Sequence, residues 1–381
     1  MVIYILDIIG KHSGAHFYNK RLLDTLKMKY KKVRIISNYV DPDDNFPAIL
    51  ENFYEGNSLI KILKLIKSLF KYYFFILKNS KNYFVFLSYG NAFEILFFWP
   101  LLFCRKRIID VHEVISLIDN NRIQNAIRKR IAMLLYNHIA DAAIIHSARS
   151  ETLLNELDYK KSRLYIPHFS YYADKTFIEN NISSEVRSLI LADKINILFF
   201  GFVRLSKGIE TIIHIAEKSE TFELGNRINL IIAGNDPDNI VKSLSKDNEN
   251  KCPGSISILL RYISDNELKY LFEGTDFIIL PYKQISQSGV LEMAVNFRKP
   301  VITSSLDYFR SFLESFPSFG IFCENDSVDG FINLLDNISH YHNKMLDMFY
   351  QDHDQKKYNE YKNPEKFLND LEVFFPVSKQ V

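Results

Sequence analysis

Three cysteines in 381 residues, Cys104, Cys252 and Cys323, are too few and too scattered for a disulfide framework. Their odd number and wide spacing also match no zinc site or redox pair, so a reducing cytoplasm fits. Low-complexity tracts are absent. Residues 1–7 lack the basic region and cleavage site of a signal peptide and read as a first strand. No strand is followed by G-x-G-x-x-G, which speaks against a nicotinamide dinucleotide site. Aromatic RNP patterns and zinc fingers are also missing, so no nucleic-acid partner is expected. Nor is there a pyridoxal-phosphate lysine signature. Asp residues at 41–44 and 236–238 flank prolines; turn chemistry explains them, and no metal is expected.

What is present is an uneven charge. The net charge is +2, yet residues 1–180 carry a balance of +9 and the remainder −7. Tract 59–130 holds 13 Lys and Arg against 4 acidic residues. Within it, 59–78 reads as a helix with Lys64, Lys67, Lys71 and Lys78 along one edge, Lys61 nearby, and a broad apolar face opposite. Both a solvated surface helix and peripheral contact with an anionic membrane fit this pattern. The apolar tract 83–104 is broken by Gly90, Asn91, Glu94 and Pro100 and reads as a strand and a short helix rather than a membrane span.

The chain length favours two domains. Strand and helix patterns alternate. Strands are expected at 2–8, 33–37, 84–88, 107–111 and 142–146, with helices at 15–28, 59–78, 92–104 and 124–139. After a polar lapse, a second series of strands runs 195–201, 228–233, 255–260, 277–280, 300–303 and 320–323. Its helices start at 207 and cover 239–244, 265–273, 290–297 and 327–338. This is the signature of βα units on parallel sheets. The expected organisation is an α/β fold of two Rossmann-like domains facing across a cleft. An N-terminal domain spans 1–170, a linker 171–194 and a C-terminal domain 195–339; 340–381 is a helical tail able to pack back on the first domain. Ligands in such sheets bind beyond the strand C-termini.

Two loops of the second domain carry the chemistry. In 200–208, Gly201 permits close backbone approach, and Arg204 and Lys207 can reach a diphosphate, the first as a planar fork and the second as a point charge. In 280–305, a polar loop with Ser286, Gln287, Ser288 and Gly289 precedes a helix, whose first amides suit an anion. Glu292 lies in its first turn and can accept hydroxyl hydrogen bonds. A surface βα connection without a ligand explains either loop alone.

Taken in order, the motifs Gly-Phe-Val-Arg-x-x-Lys-Gly (201–208), Ile-Ile-Ala-Gly-Asn (231–235), Tyr-Ile-Ser-Asp-Asn-Glu-Leu (262–268) and Leu-Pro-Tyr…Gln-Ser-Gly-Val-Leu-Glu…Lys-Pro-Val-Ile-Thr (280–303) say more. The set resembles the nucleotide-binding half of family 4 (group 1) retaining glycosyltransferases of the GT-B fold. The resemblance is strong over about 110 residues and weaker in the N-terminal half, at Ser13-Gly14, 110–113, His146-Ser147 and 166–168.

The resemblance implies a hexosyltransferase that needs no metal or other cofactor. It would move a sugar from a nucleotide-sugar donor to a hydroxyl of a glycan or lipid-linked glycan in bacterial surface polysaccharide biosynthesis. Cysteine usage and the basic tract 59–130 set the expected location, the cytoplasm, at the inner face of the cell membrane. It implies that Arg204 and Lys207 hold the donor diphosphate, that the amides of Ser288, Gly289 and Val290 cap it, and that Glu292 binds the ribose. The family's other Glu, which reaches the donor sugar, is replaced here by Gln284, which keeps hydrogen bonding but not charge. Gly14 matches a glycine-rich loop near the phosphates; a tight turn also explains it. His112 matches an active-site histidine near donor sugar and acceptor, which Glu113 could orient; His146 and His168 read as structural. An NAD-dependent oxidoreductase and a catalytically silent glycosyltransferase-like binding protein stay open.

Overall fold

The computed structural model describes residues 1–10, 16–39, 48–54, 56–90, 94–112, 122–167, 182–219, 224–244, 256–285, 287–346 and 348–376. The chain divides into two units, Met1–Tyr171 with Lys362–Val381, and Tyr172–Tyr361.

The first unit is built on strands β1 (Ile3–Leu6), β2 (Val33–Ile36), β3 (Tyr83–Ser88), β4 (Lys106–Val111), β5 (Ala142–Ile145) and β6 (Ser162–Tyr165). They pair in parallel in the order β2-β1-β3-β4-β5-β6. Both faces are covered, so β3 (YFVFLS) and β5 (AAII) have no exposed position. Side chains alternate: Phe84, Phe86, Ile109 and Ala143 enter one core and Val85, Leu87, Ile108 and Ile144 the other. The C-terminal helix Glu365–Glu372 covers the second face through Phe367 and Leu371, and Phe375 just beyond it stacks on Tyr83 at 4.7 Å.

The second unit carries β7 (Ile195–Phe200), β8 (Ile228–Ala233), β9 (Ile256–Leu259), β10 (Phe277–Leu280), β11 (Val301–Thr303) and β12 (Gly320–Phe322), all parallel, in the order β12-β11-β10-β7-β8-β9. Numbered from its own first strand, this is the 3-2-1-4-5-6 arrangement of a doubly wound sheet. Strand order reverses between β7 and β10, and the loops leaving these two strands are 201–208 and 281–288.

Several elements differ from the sequence pattern. Tract 92–104 holds a short helix, Ile95–Phe98, then a 3-10 turn, Trp99–Phe103, because Pro100 has no amide to continue the helix. Helix Val328–Leu346 runs on past the end expected at Ile338; Phe331, Leu335 and Ile338 form its buried stripe. Residues 340–361 therefore belong to the second unit, and the tail that joins the first starts at Lys362. Strand β6 and the helices Ala148–Glu156 and Asp307–Ser315 have no counterpart in the sequence reading. Among the described residues no helix is long and apolar enough to cross a membrane.

Candidate functional site

In the second unit three glycines let three strand-end loops touch. Gly201 (φ +106°), Gly208 (φ +72°) and Gly234 (φ +149°) adopt backbone that L side chains rarely take. A Cβ on Gly208 would stand 1.9 Å from the Pro281 carbonyl oxygen, and one on Gly234 would stand 1.9 Å from that of Gly201. The loops are also hydrogen-bonded together: the amides of Lys283 and Gln284 donate to the Ser206 carbonyl at 2.9 and 3.3 Å.

This packing presses Lys207 inward. A Cβ on Gly201 would meet its Nζ at 3.1 Å and Val290 at 3.8 Å, and the ammonium lies 5.5 Å from the centre of the Tyr282 ring. Burial, and then the neighbouring Arg204 charge, push the Lys207 pKa down to about 8. Arg204 is exposed, with its guanidinium 5.5 Å from the Phe202 ring centre.

Helix Gly289–Asn296 starts at the same place. Ser288 caps it: its hydroxyl accepts from the Leu291 amide at 3.1 Å and its carbonyl from that of Glu292 at 3.2 Å. The first two helical amides, Gly289 and Val290, have no partner among the described residues and lie at the positive end of the helix. Tyr350 steadies the other end, its hydroxyl donating to the carbonyls of Ala294 (3.2 Å) and Lys299 (2.7 Å). Glu292 is buried, and the Tyr358 hydroxyl donates to its carboxylate. Gln284 is exposed at the loop edge. Thus Gly201, Lys207, Ser288, Gly289 and Val290 converge, Arg204 flanks them, and Glu292 lies one helical turn in, held by a tyrosine from helix Asp352–Tyr361. Asp236 is a helix cap: its carboxylate accepts from the amides of Ile240 (2.9 Å) and Val241 (3.0 Å). A cavity of about 840 Å³, lined by Lys194, Asn196, Arg227 and His340, opens at the opposite, N-terminal end of β7, away from where such sheets hold ligands.

In the first unit, Asp110 and His112 end β4, His146 follows β5, and Tyr18 comes from helix His16–Lys27. All four are buried. Asp110 accepts from the Tyr18 hydroxyl at 2.7 Å and lies 2.8 Å from Nε2 of His146, whose Nδ1–H donates to the Ile166 carbonyl at 2.9 Å. His112 Nε2 is 3.6 Å from the same carboxylate. Its ring stacks on Tyr89 at 5.0 Å and meets Tyr18 edge-on at 4.3 Å. Burial alone would raise Asp110, but the charges of His146 and His112 and the hydrogen bonds of His146 and Tyr18 outweigh it and hold the carboxyl below its usual range. Burial pushes His112 down to about 4, so its ring is neutral near pH 7.

Ligand atoms of Asp110, His112 and His146 lie within 4.8 Å of one another. The 2.8 Å contact is hydrogen-bond spacing; two ligands on one tetrahedral zinc, each about 2.0–2.1 Å from it, stand roughly 3.3 Å apart. The cluster as it stands is a hydrogen-bonded one.

The same C-terminal end of the sheet holds buried Asp7, just after β1, which accepts from the amides of Ile9 (3.0 Å) and Gly10 (2.8 Å) and from the Asn19 side chain. Burial raises its pKa to about 6 against those bonds. Sequence reasoning missed Tyr18, Asp7, Tyr282 and Tyr358. For Asp110 a signal existed: it is two residues from His112, on the same face of a strand. Gly14, Glu113 and His168 lie outside the described residues.

No family model matches the chain. It is 30% identical over 108 residues to GDP-mannose:glycolipid 4-beta-D-mannosyltransferase of Xanthomonas campestris pv. campestris. That stretch spans 28% of this chain and 29% of the relative's length. Among solved structures, sucrose-phosphate synthase from Thermosynechococcus elongatus superposes with a TM-score of 0.68 at 14% identity, over 98% of both chains. Anabaena HepE in complex with UDP and glucose gives 0.69 at 15% identity, over 98% of this chain and 99% of that one. UDP-GlcNAc 2-epimerase from Methanocaldococcus jannaschii gives 0.57 at 13%, with coverage of 98% and 99%. The fold is GT-B, with two Rossmann-like α/β units.

Proposed function

We propose that this protein is a glycosyltransferase that moves a sugar from a nucleotide-sugar donor to a hydroxyl of a glycan or glycolipid. The observation that carries this reading is the convergence of Lys207, the Gly289 and Val290 amides and the open backbone of Gly201, with Arg204 at its side, at the switch point of the second sheet. Such a site suits a diphosphate. When the sugar leaves, negative charge grows on the departing diphosphate. A half-buried ammonium, a guanidinium and two helix-end amides are already in place to stabilise it. Glu292 takes the ribose hydroxyls, and Gln284 reaches toward the sugar. In the first unit His112, neutral and held beside Asp110, is assigned a substrate hydrogen-bonding role by the motif resemblance. The mannosyltransferase relative and the UDP-bound neighbour support the donor class, and the relative's glycolipid acceptor supports a lipid-linked acceptor; the place in surface polysaccharide biosynthesis rests on the motif resemblance.

Retention of configuration is assigned from the motif resemblance. The relative's name specifies a β-linked product, so the anomeric outcome is the point to measure. A β-product from an α-configured donor would overturn retention and leave sugar transfer standing.

The test is a panel of nucleotide sugars screened for thermal stabilisation, then turnover with glycolipid acceptors. Arg204→Ala/Lys207→Ala should abolish both donor binding and transfer; unchanged transfer in that variant would refute the site. The epimerase neighbour motivates a second reading, in which the donor sugar is altered without an acceptor. Incubating donor alone and analysing the sugar distinguishes the two.

A further inference from the structure

We propose that helix Ser58–Lys78 and the adjoining turn Trp99–Phe103 form a surface that binds anionic lipid and seats the first unit on a membrane without crossing it. This goes beyond the sugar-transfer reading and does not depend on it.

A helix packed on a domain ordinarily turns its apolar side inward. This one buries Ser68, Tyr72 and Ile76 and keeps an apolar stripe on the opposite side. Leu63, Phe70, Phe74 and Leu77 lie on that stripe, 57%, 73%, 71% and 59% exposed. The patch continues onto the neighbouring turn, where Phe103 is 60% and Trp99 40% exposed. Soluble monomers seldom leave so contiguous an apolar surface in water.

The turn is fixed to the helix through Tyr73. Its hydroxyl donates to the Leu96 carbonyl at 2.7 Å and accepts from the Trp99 indole N–H at 3.0 Å, with the rings edge-on at 5.6 Å. Trp99 therefore has its polar atom satisfied and its ring at the rim of the patch, as befits a side chain at a membrane–water interface.

Charge identifies the occupant. The helix has five lysines and no acidic residue. Lys64, Lys67, Lys71 and Lys78 line one flank, between the outward stripe and the buried side. Lys67 and Lys71 share Glu51, at 3.0 and 2.7 Å, which offsets one charge. A second copy docked on this face by two-fold symmetry would present the same lysines to each other. Anionic headgroups instead complement them while the stripe enters the acyl boundary.

Trp99 is the only tryptophan in the chain, so its fluorescence reports on this surface alone. With the full chain and no donor, phosphatidylcholine vesicles containing phosphatidylglycerol should shift Trp99 emission to shorter wavelength and float the protein; phosphatidylcholine alone should bind it much more weakly. Phe70→Ser/Phe74→Ser, at positions exposed enough to leave folding intact by circular dichroism, should lower the partition coefficient roughly tenfold or more. Lys61→Gln/Lys64→Gln/Lys78→Gln should lower it about fivefold per charge. Absence of vesicle binding, equal binding to both vesicle types, or binding unchanged by the phenylalanine variant would each overturn the proposal. Dimerisation that the phenylalanine variant abolishes, without vesicle binding, would assign the face to a second copy instead.

Discussion

The ammonium nitrogen of Lys207 stands 3.1 Å from the point where a Cβ on Gly201 would lie. The absence of that one carbon lets a cation settle under the loop that leaves β7. Gly201→Ala must displace the ammonium and hold φ near +106°, at a cost of about 1–3 kcal/mol. The expected outcome is a folded protein with nucleotide affinity reduced at least tenfold by calorimetry. Gly208→Ala should be worse, because its Cβ would meet the Pro281 carbonyl oxygen at 1.9 Å and backbone cannot swing aside as a lysine end can. Equal stability of the two variants would refute this difference.

Lys207 titrates near pH 8, and this gives binding and stability opposite pH trends. Diphosphate binding uses the protonated amine, so affinity should fall as pH rises through about 8. Folding responds the other way: the unfolded chain keeps this proton up to its ordinary value near 10.4, so from pH 8 upward stability rises. Lys207→Met should flatten both trends. Affinity measured from pH 7 to 9 in the two proteins checks it; parallel curves would count against the lysine as a phosphate ligand.

His112 and Asp7 pull stability in opposite directions under mild acid. His112 is depressed to about 4, so its contribution is present above its unfolded value near 6.5 and is lost as pH falls toward 4. Asp7 is raised to about 6, so its contribution is present below about 3.9 and is lost as pH rises through 6. His112→Gln should therefore leave a shallower acid limb between pH 6.5 and 4 in urea melts, whatever its effect at pH 7. An unchanged slope would mean that His112 takes up its proton in the fold as readily as in the unfolded chain.

Glu292 reaches its position through Tyr358. Tyr358→Phe removes one hydrogen-bond donor from a buried carboxylate and should cost about 1–3 kcal/mol. If Glu292 holds the ribose, donor affinity should fall as well, because the carboxylate loses the group that orients it. A stability loss with unchanged nucleotide affinity would remove Glu292 from the site.

Gln284→Glu restores a charge at an exposed position and should change stability by no more than about 0.5 kcal/mol. Its effect should appear in turnover or in the preferred donor sugar. Identical kinetics across a donor panel would show that this residue does not face the sugar.

The sequence by itself determined the alternation of strands and helices, the two Rossmann-like units and the loops at 201–208 and 281–292. These follow from local rules: apolar runs for strands buried on both faces, glycine where the backbone turns left-handed, a serine cap before a helix. Only the tertiary structure decided which groups meet. Tyr18 and His146 reach Asp110 across 92 and 36 residues, and Tyr358 reaches Glu292 across 66; no spacing rule extends that far. The structure likewise decided which side of helix Ser58–Lys78 faces out. Its apolar arc is wider than the core can cover, and periodicity reports that an arc exists without saying which part finds a partner.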